Sequence, residues 1–118
     1  MDKQELQRRT KQFALRVFKL VDALPRTVVG RAVANQLVRS ATSVGANYRE
    51  ANRAESRNDF IHKIAIVEKE ASESQYWLEI CDEASFGDPE QRVWLLQEAS
   101  ELLAIFTSAG RTAKAARA

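Results

Sequence analysis

Glu68, Glu70 and Glu73 fall within six residues of one another, not far from His62, and carboxylates beside an imidazole are the raw material of a metal site. Di-iron bundles draw a Glu-x-x-His motif from each of two helices and a further Glu from each of the other two. This chain has one His and no Glu-x-x-His, so it lacks that ligand set. At 100° per residue His62 points away from the apolar side of its segment and reads as a surface histidine. Cys81 is the only cysteine, which rules out an internal disulfide and a cysteine cluster for zinc. Glu79, Asp82 and Glu83 surround it with charge that opposes a thiolate, so it reads as a small, half-buried filler. With its one histidine read as a surface residue, the chain lacks the usual parts of a nucleophile–base pair, and no glycine-rich phosphate loop is present. The expectation is a protein with no cofactor, no metal and no catalytic activity.

Phosphate binding is the chemistry the charges favour. Residues 1–57 carry 12 Lys+Arg against 5 Asp+Glu, a net +7; residues 58–118 carry 6 against 11, a net −5. Arg31, Arg39, Arg49 and Arg53 share an arc of about 80° when projected on a helix, and Arg8, Arg9 and Arg16 precede them. Guanidinium groups aligned in this way can hold phosphates bidentately. These seven arginines are the candidate nucleic-acid-binding residues. The alternative is a solvated exterior whose charge is answered by the acidic half of the chain. Tyr48, Tyr76, Trp77 and Trp94 offer ring faces for bases, although the spacing of Trp77 suits a core edge or interface anchor and leaves Trp94 freer.

A second stripe lies on the same segment. Gln36, Ser40, Ser43, Asn47 and Glu50 fall within about 80°, roughly a quarter turn from the apolar face. Ser and Asn are poor helix formers on an exposed surface, where Glu, Lys or Gln would serve better. The stripe is read as solvated, as a polar seam to a neighbouring helix, or as a subunit contact. Glu70 and Glu73 flank the core face of the next segment beside Ile66 and Trp77, and Arg39 is their expected partner. The candidate oligomer interface is therefore Gln36, Ser40, Ser43, Asn47, Glu50, Glu70, Glu73 and Trp77.

Four amphipathic segments must carry these faces. Leu6, Phe13, Val17, Leu20, Val21 and Leu24 recur at helical spacing over residues 3–24, and Pro25 ends that segment. Val33, Leu37, Ala41, Val44, Tyr48 and Ala51 share one arc over 27–54. Phe60, Ile64, Val67, Ala71, Ser74 and Leu78 form a heptad-like seam over 57–84, opened by Ser56 and Asp59 in the manner of a capping box. Asp88 and Pro89 start the fourth segment, which carries Leu95, Leu96, Ala99, Leu102, Leu103, Phe106 and Ala109. Gly110 is the expected stop, leaving 111–118, "RTAKAARA", as a short basic tail behind a single domain of 1–110. No segment alternates with period two, so the fold class is all-α, an antiparallel up-down four-helix bundle.

The longest runs without a charged residue, "SATSVGANY" and "LLAIFTSAG", have nine residues each, against roughly 18 apolar residues for a bilayer span. No apolar signal region follows the charged N-terminus, and a cytoplasmic setting is expected.

The run from Gln36 to Leu78 resembles the four-helix bundle proteins of bacterial 23S ribosomal RNA intervening sequences. The residues carrying the resemblance are Arg39, Ser40, Ser43, Val44, Ala46, Asn47 and Glu50, then Phe60, Ile61, Lys63, Glu70, Glu73, Tyr76, Trp77 and Leu78, with Leu24 and Pro25 upstream. Tyr48 stands where an aliphatic residue is usual, and "EANR" where a Glu-Gly pair is usual. The resemblance implies a ring-like homopentamer without catalytic activity. A related branch, the accessory variability determinants of diversity-generating retroelements, implies a basic particle that binds nucleic acid and a partner protein such as a reverse transcriptase. The expected function is a nucleic-acid (RNA or DNA) binding accessory protein using helices one and two; the alternative is a protein–protein scaffold without nucleic-acid binding.

Overall fold

Asp2, Thr27, Ser56 and Asp88 each begin a helix in the same way, accepting a hydrogen bond from the backbone N–H three residues on, at 2.8, 3.1, 3.0 and 3.1 Å. Each satisfies one amide that the first helical turn leaves unpaired. The helices they open are α1 (Lys3–Val21), α2 (Val28–Ala51), α3 (Arg57–Glu83) and α4 (Pro89–Arg117). The computed structural model describes residues 1–116 in full and the backbone of residue 117. Asp59 completes its cap by accepting from the backbone N–H of Glu55 rather than that of Ser56, at 3.2 Å.

Among the described residues there is no strand, and each helix packs on two others: α1 on α2 and α4, α3 on α2 and α4. Glu68 meets Thr107 while Asp82 meets Arg92, so α3 and α4 run antiparallel. Arg9 meets Glu98 while Arg16 meets Trp94, which gives α1 and α4 the same relation. The result is a four-helix bundle measuring 48 × 24 × 20 Å. Phe13, Val17, Leu37, Val44, Leu78 and Phe106 belong to its core, all at most 1% exposed.

Three expectations need correction. α1 ends at Val21 rather than Leu24, because Ala23 and Leu24 already bond three residues back in a tightening turn. α2 likewise closes at Ala51 rather than Ala54. Gly110 does not end α4; the helix continues through it, Gly110 is buried against Ile64, and Ala113 is buried a turn later. Residues 111–117 are therefore helical, and the tail reading of Ala118 lies outside the described residues. Core assignments shift slightly: Thr10 and Ile61 are buried, whereas Val21 and Phe60 are partly exposed.

The α3–α4 turn needs a left-handed backbone at Ser85 (φ 57°) and Gly87 (φ 81°). Arg92, only 8% exposed, secures it by donating to Asp82 at 3.0 Å and to the carbonyls of Phe86 and Gly87.

Candidate nucleic-acid interface

Seven arginines were expected to face outward, and the fold divides them. Arg9 donates Nε and Nη2 to the two carboxylate oxygens of Glu98, both at 2.7 Å, and Nη2 also to Glu101 at 2.8 Å. Glu98 is 8% exposed, so this ion pair is an internal tie between α1 and α4, and it holds the Arg9 guanidinium well above its ordinary pKa. Arg39 bonds Glu70 at 3.3 Å and also Glu73, tying α2 to α3. Arg16 lies over the ring of Trp94, 4.2 Å from its centroid. These three are engaged within the protomer, because each meets a carboxylate or ring on a neighbouring helix, although Arg39 remains exposed. Arg8, Arg31, Arg49 and Arg53 are exposed and form no ion pair among the described residues.

The small residues of α2 explain where two of the free cations sit. A Cβ at Gly45 would lie 3.1 Å from Thr10 Oγ1 and 3.3 Å from Thr10 Cβ, so the glycine sets how closely α1 approaches. Small side chains on both helices leave a groove of about 330 Å³ along the α1–α2 seam. Thr10, Ala14, Thr42, Gly45 and Ala46 line it, with Lys11 on one wall and Arg49 and Glu50 on the other. Lys11 was not among the candidates; its signal was Thr10 itself, a small residue in the apolar series between Leu6 and Phe13 that marks the side from which α2 approaches. Arg31 lines a second recess of about 230 Å³ beside Arg26, near the α1–α2 turn.

The polar stripe divides as well. Ser40 is fully buried and its hydroxyl accepts from Ser74 Oγ at 3.0 Å, so it belongs to an internal α2–α3 seam and cannot meet another subunit. Ser43 and Asn47 are half-buried and bond back to carbonyls of their own helix, Arg39 at 2.7 Å and Ser43 at 2.8 Å. Gln36 and Glu50 are exposed. Across the seam stand Glu70, Glu73 and Trp77, whose indole N–H donates to Glu73 at 3.2 Å. The fold thus gathers Gln36, Ser43, Asn47, Glu70, Glu73 and Trp77 along the α2–α3 side of the bundle.

Among the described residues no group of three or more His, Cys, Asp or Glu is placed to hold a metal ion, and no helix is long and apolar enough to cross a membrane. Cys81 is fully rather than half buried, a member of the hydrophobic core, and burial pushes its thiol up to about 11. Glu68 accepts a hydrogen bond from Thr107 at 2.7 Å, and His62 is exposed. A cleft of about 680 Å³, lined by Phe60, Ile105, Ala109 and Ala113 with Arg57 at its rim, lies between the start of α3 and the end of α4.

Comparison with known proteins agrees with this architecture. The sequence profile of the 23S rRNA-intervening sequence protein family matches residues 2–108. A crystal structure of a protein of unknown function from the S23 ribosomal protein family of Bacteroides thetaiotaomicron is 35% identical, with a TM-score of 0.79. That similarity covers 88% of this chain and 96% of the other. No curated protein matches.

Proposed function

The chain belongs to the 23S rRNA-intervening sequence protein family, and on that premise we propose that it is a non-enzymatic cytoplasmic accessory protein that holds RNA or DNA phosphates on the outer surfaces of α1 and α2. One observation carries the reading. The carboxylates that α3 and α4 present to the basic helices, Glu70, Glu73, Glu98 and Glu101, are used by Arg39 and Arg9, yet Arg8, Lys11, Arg31, Arg49 and Arg53 stay exposed without an ion pair among the described residues. Cations left unpaired while acids are available elsewhere in the same chain form a surface suited to a polyanion.

The protein acts as a homo-oligomer in this reading, and the pentamer implied by its family resemblance is the assembly we favour. The α2–α3 side is the contact: Gln36, Ser43 and Asn47 present short or neutral groups beside Glu70, Glu73 and Trp77, the ion pair of Arg39 already fixes the geometry of this surface, and Glu50 lies instead on the wall of the α1–α2 groove. Using α2–α3 for self-association leaves the α1–α2 side of each protomer outward. Several weak phosphate sites on one particle then bind together with far greater affinity than each alone.

A titration of labelled RNA and DNA across a salt series tests the proposal. Affinity should fall steeply with salt, because each neutralised phosphate releases counterions. Salt-independent binding, or none at low salt, would count against it. The rival role is a protein–protein scaffold, favoured by the apolar cleft at the α3–α4 end, and that outcome of the titration would support it.

A further inference from the structure

The basic surface of α1 carries more than charge. Leu15 and Phe18 are 44% and 40% exposed, follow Lys11 by four and seven residues, and therefore share its outward side of the helix. An exposed aromatic and an exposed aliphatic side chain beside a lysine add nothing to contact with a duplex backbone, where a protein meets sugars and phosphates. They would be desolvated there against polar groups. Unpaired bases present the matching chemistry, since each has a flat apolar face that stacks on an aromatic ring, while its own phosphate remains free for a cation.

The neighbouring groove has the same mixed character. Its floor is small and partly apolar at Ala14, Gly45 and Ala46, its walls carry Lys11 and Arg49, and Gln7 and Thr42 supply polar groups for base edges. Thr42 already donates its hydroxyl to the Val38 carbonyl at 2.7 Å, which leaves its oxygen lone pairs as acceptors. Glu50, the one carboxylate lining the groove, also favours base edges over phosphate at that position.

We propose that the α1–α2 groove and the adjoining Lys11–Leu15–Phe18 strip bind single-stranded nucleic acid in preference to duplex, with unpaired bases on Phe18 and in the groove and phosphates on Lys11 and Arg49. This rests on the nucleic-acid reading above and narrows its substrate class. Phe18 is the stacking platform nearest the strip's end, and the groove floor is the seat for a second base.

The test uses the full-length protein, with particle mass checked throughout by light scattering. Fluorescence anisotropy would compare labelled oligouridylate alone with the same strand annealed to oligoadenylate, at low salt. The expected result is tighter binding of the single strand. Phe18→Ala should weaken the single strand about ten-fold and leave the duplex unchanged. The double variant Lys11→Glu, Arg49→Glu should weaken both. Equal or tighter duplex binding that remains steeply salt-dependent would overturn this inference while sparing the phosphate-binding reading. Absence of binding to either probe would overturn both. If Phe18→Ala lowers particle mass but not the affinity per chain, the strip is a subunit contact and the inference fails.

Discussion

Arg8 and Arg9 are adjacent in the chain and meet opposite fates. Arg9 turns to α4 and forms three short bonds with Glu98 and Glu101, whereas Arg8, 100° around the helix, stays in solvent. Arg9→Ala should cost about 3 kcal/mol in urea unfolding, because it leaves Glu98 buried and unpaired. Arg8→Ala should change stability by no more than about 0.5 kcal/mol. In nucleic-acid titrations the order reverses: Arg8→Ala should lower the salt slope by about one, and Arg9→Ala should leave it alone. Cys81 gives a second residue-scale prediction. Its folded thiol is held at about 11 by burial, above the ordinary value of about 8.5, so the folded state keeps its proton longer than the unfolded one. Its contribution to stability is complete below about pH 8.5 and is lost as pH rises towards 11. A thiol reagent at neutral pH should label Cys81 only when denaturant is added; rapid labelling of the native protein would contradict the packing.

At the scale of elements, the glycines of α2 and α4 do different jobs. Gly30 sits under the α1–α2 turn, where an added Cβ would come within 2.0 Å of the Pro25 carbonyl oxygen. Gly30→Ala should therefore destabilise by about 2–3 kcal/mol, since backbone rather than a movable side chain stands in the way. Gly110 lies inside α4, where an added Cβ would meet only the Ile64 Cγ2, at an ordinary contact distance of 3.5 Å. Gly110→Ala should raise stability by up to about 1 kcal/mol, the gain in helix propensity. Destabilisation there, read from the midpoint of thermal or urea unfolding, would mean that the helix does end at Gly110. The two substitutions also separate what spacing reveals. A glycine after an apolar series reads as a stop, and nothing local distinguishes that from a glycine kept small by a neighbouring helix.

For the whole molecule, the proposed assembly and the proposed binding surface make separate demands. Light scattering should report about five times the 13.3 kDa chain mass. Asn47→Leu and Arg39→Glu should both lower that mass, the first by changing the α2–α3 surface and the second by adding a negative charge beside Glu70 and Glu73. A particle of 13.3 kDa with Ser43 and Asn47 facing water would remove the avidity argument, although each protomer would keep its unpaired arginines.

The helices were legible in the sequence because their determinants are local. Apolar residues repeat at helical spacing, and Ser56, Asp59, Asp88 and Pro89 act within one turn of themselves. The pairing of Arg39 with Glu70 and Glu73 was legible too, since it joins predicted faces of consecutive helices. Which arginines remain free was not legible. A helical projection places Arg31, Arg39, Arg49 and Arg53 on one ridge, yet long guanidinium side chains reach sideways, and only the positions of neighbouring helices decide what they reach. Ser40 shows the same limit. Its place on the polar stripe was clear from periodicity, but whether a hydroxyl meets water, a subunit or Ser74 depends on which helix lies beside it. Secondary structure is set by contacts a few residues apart; the surface that acts is what remains after contacts between distant residues have been made.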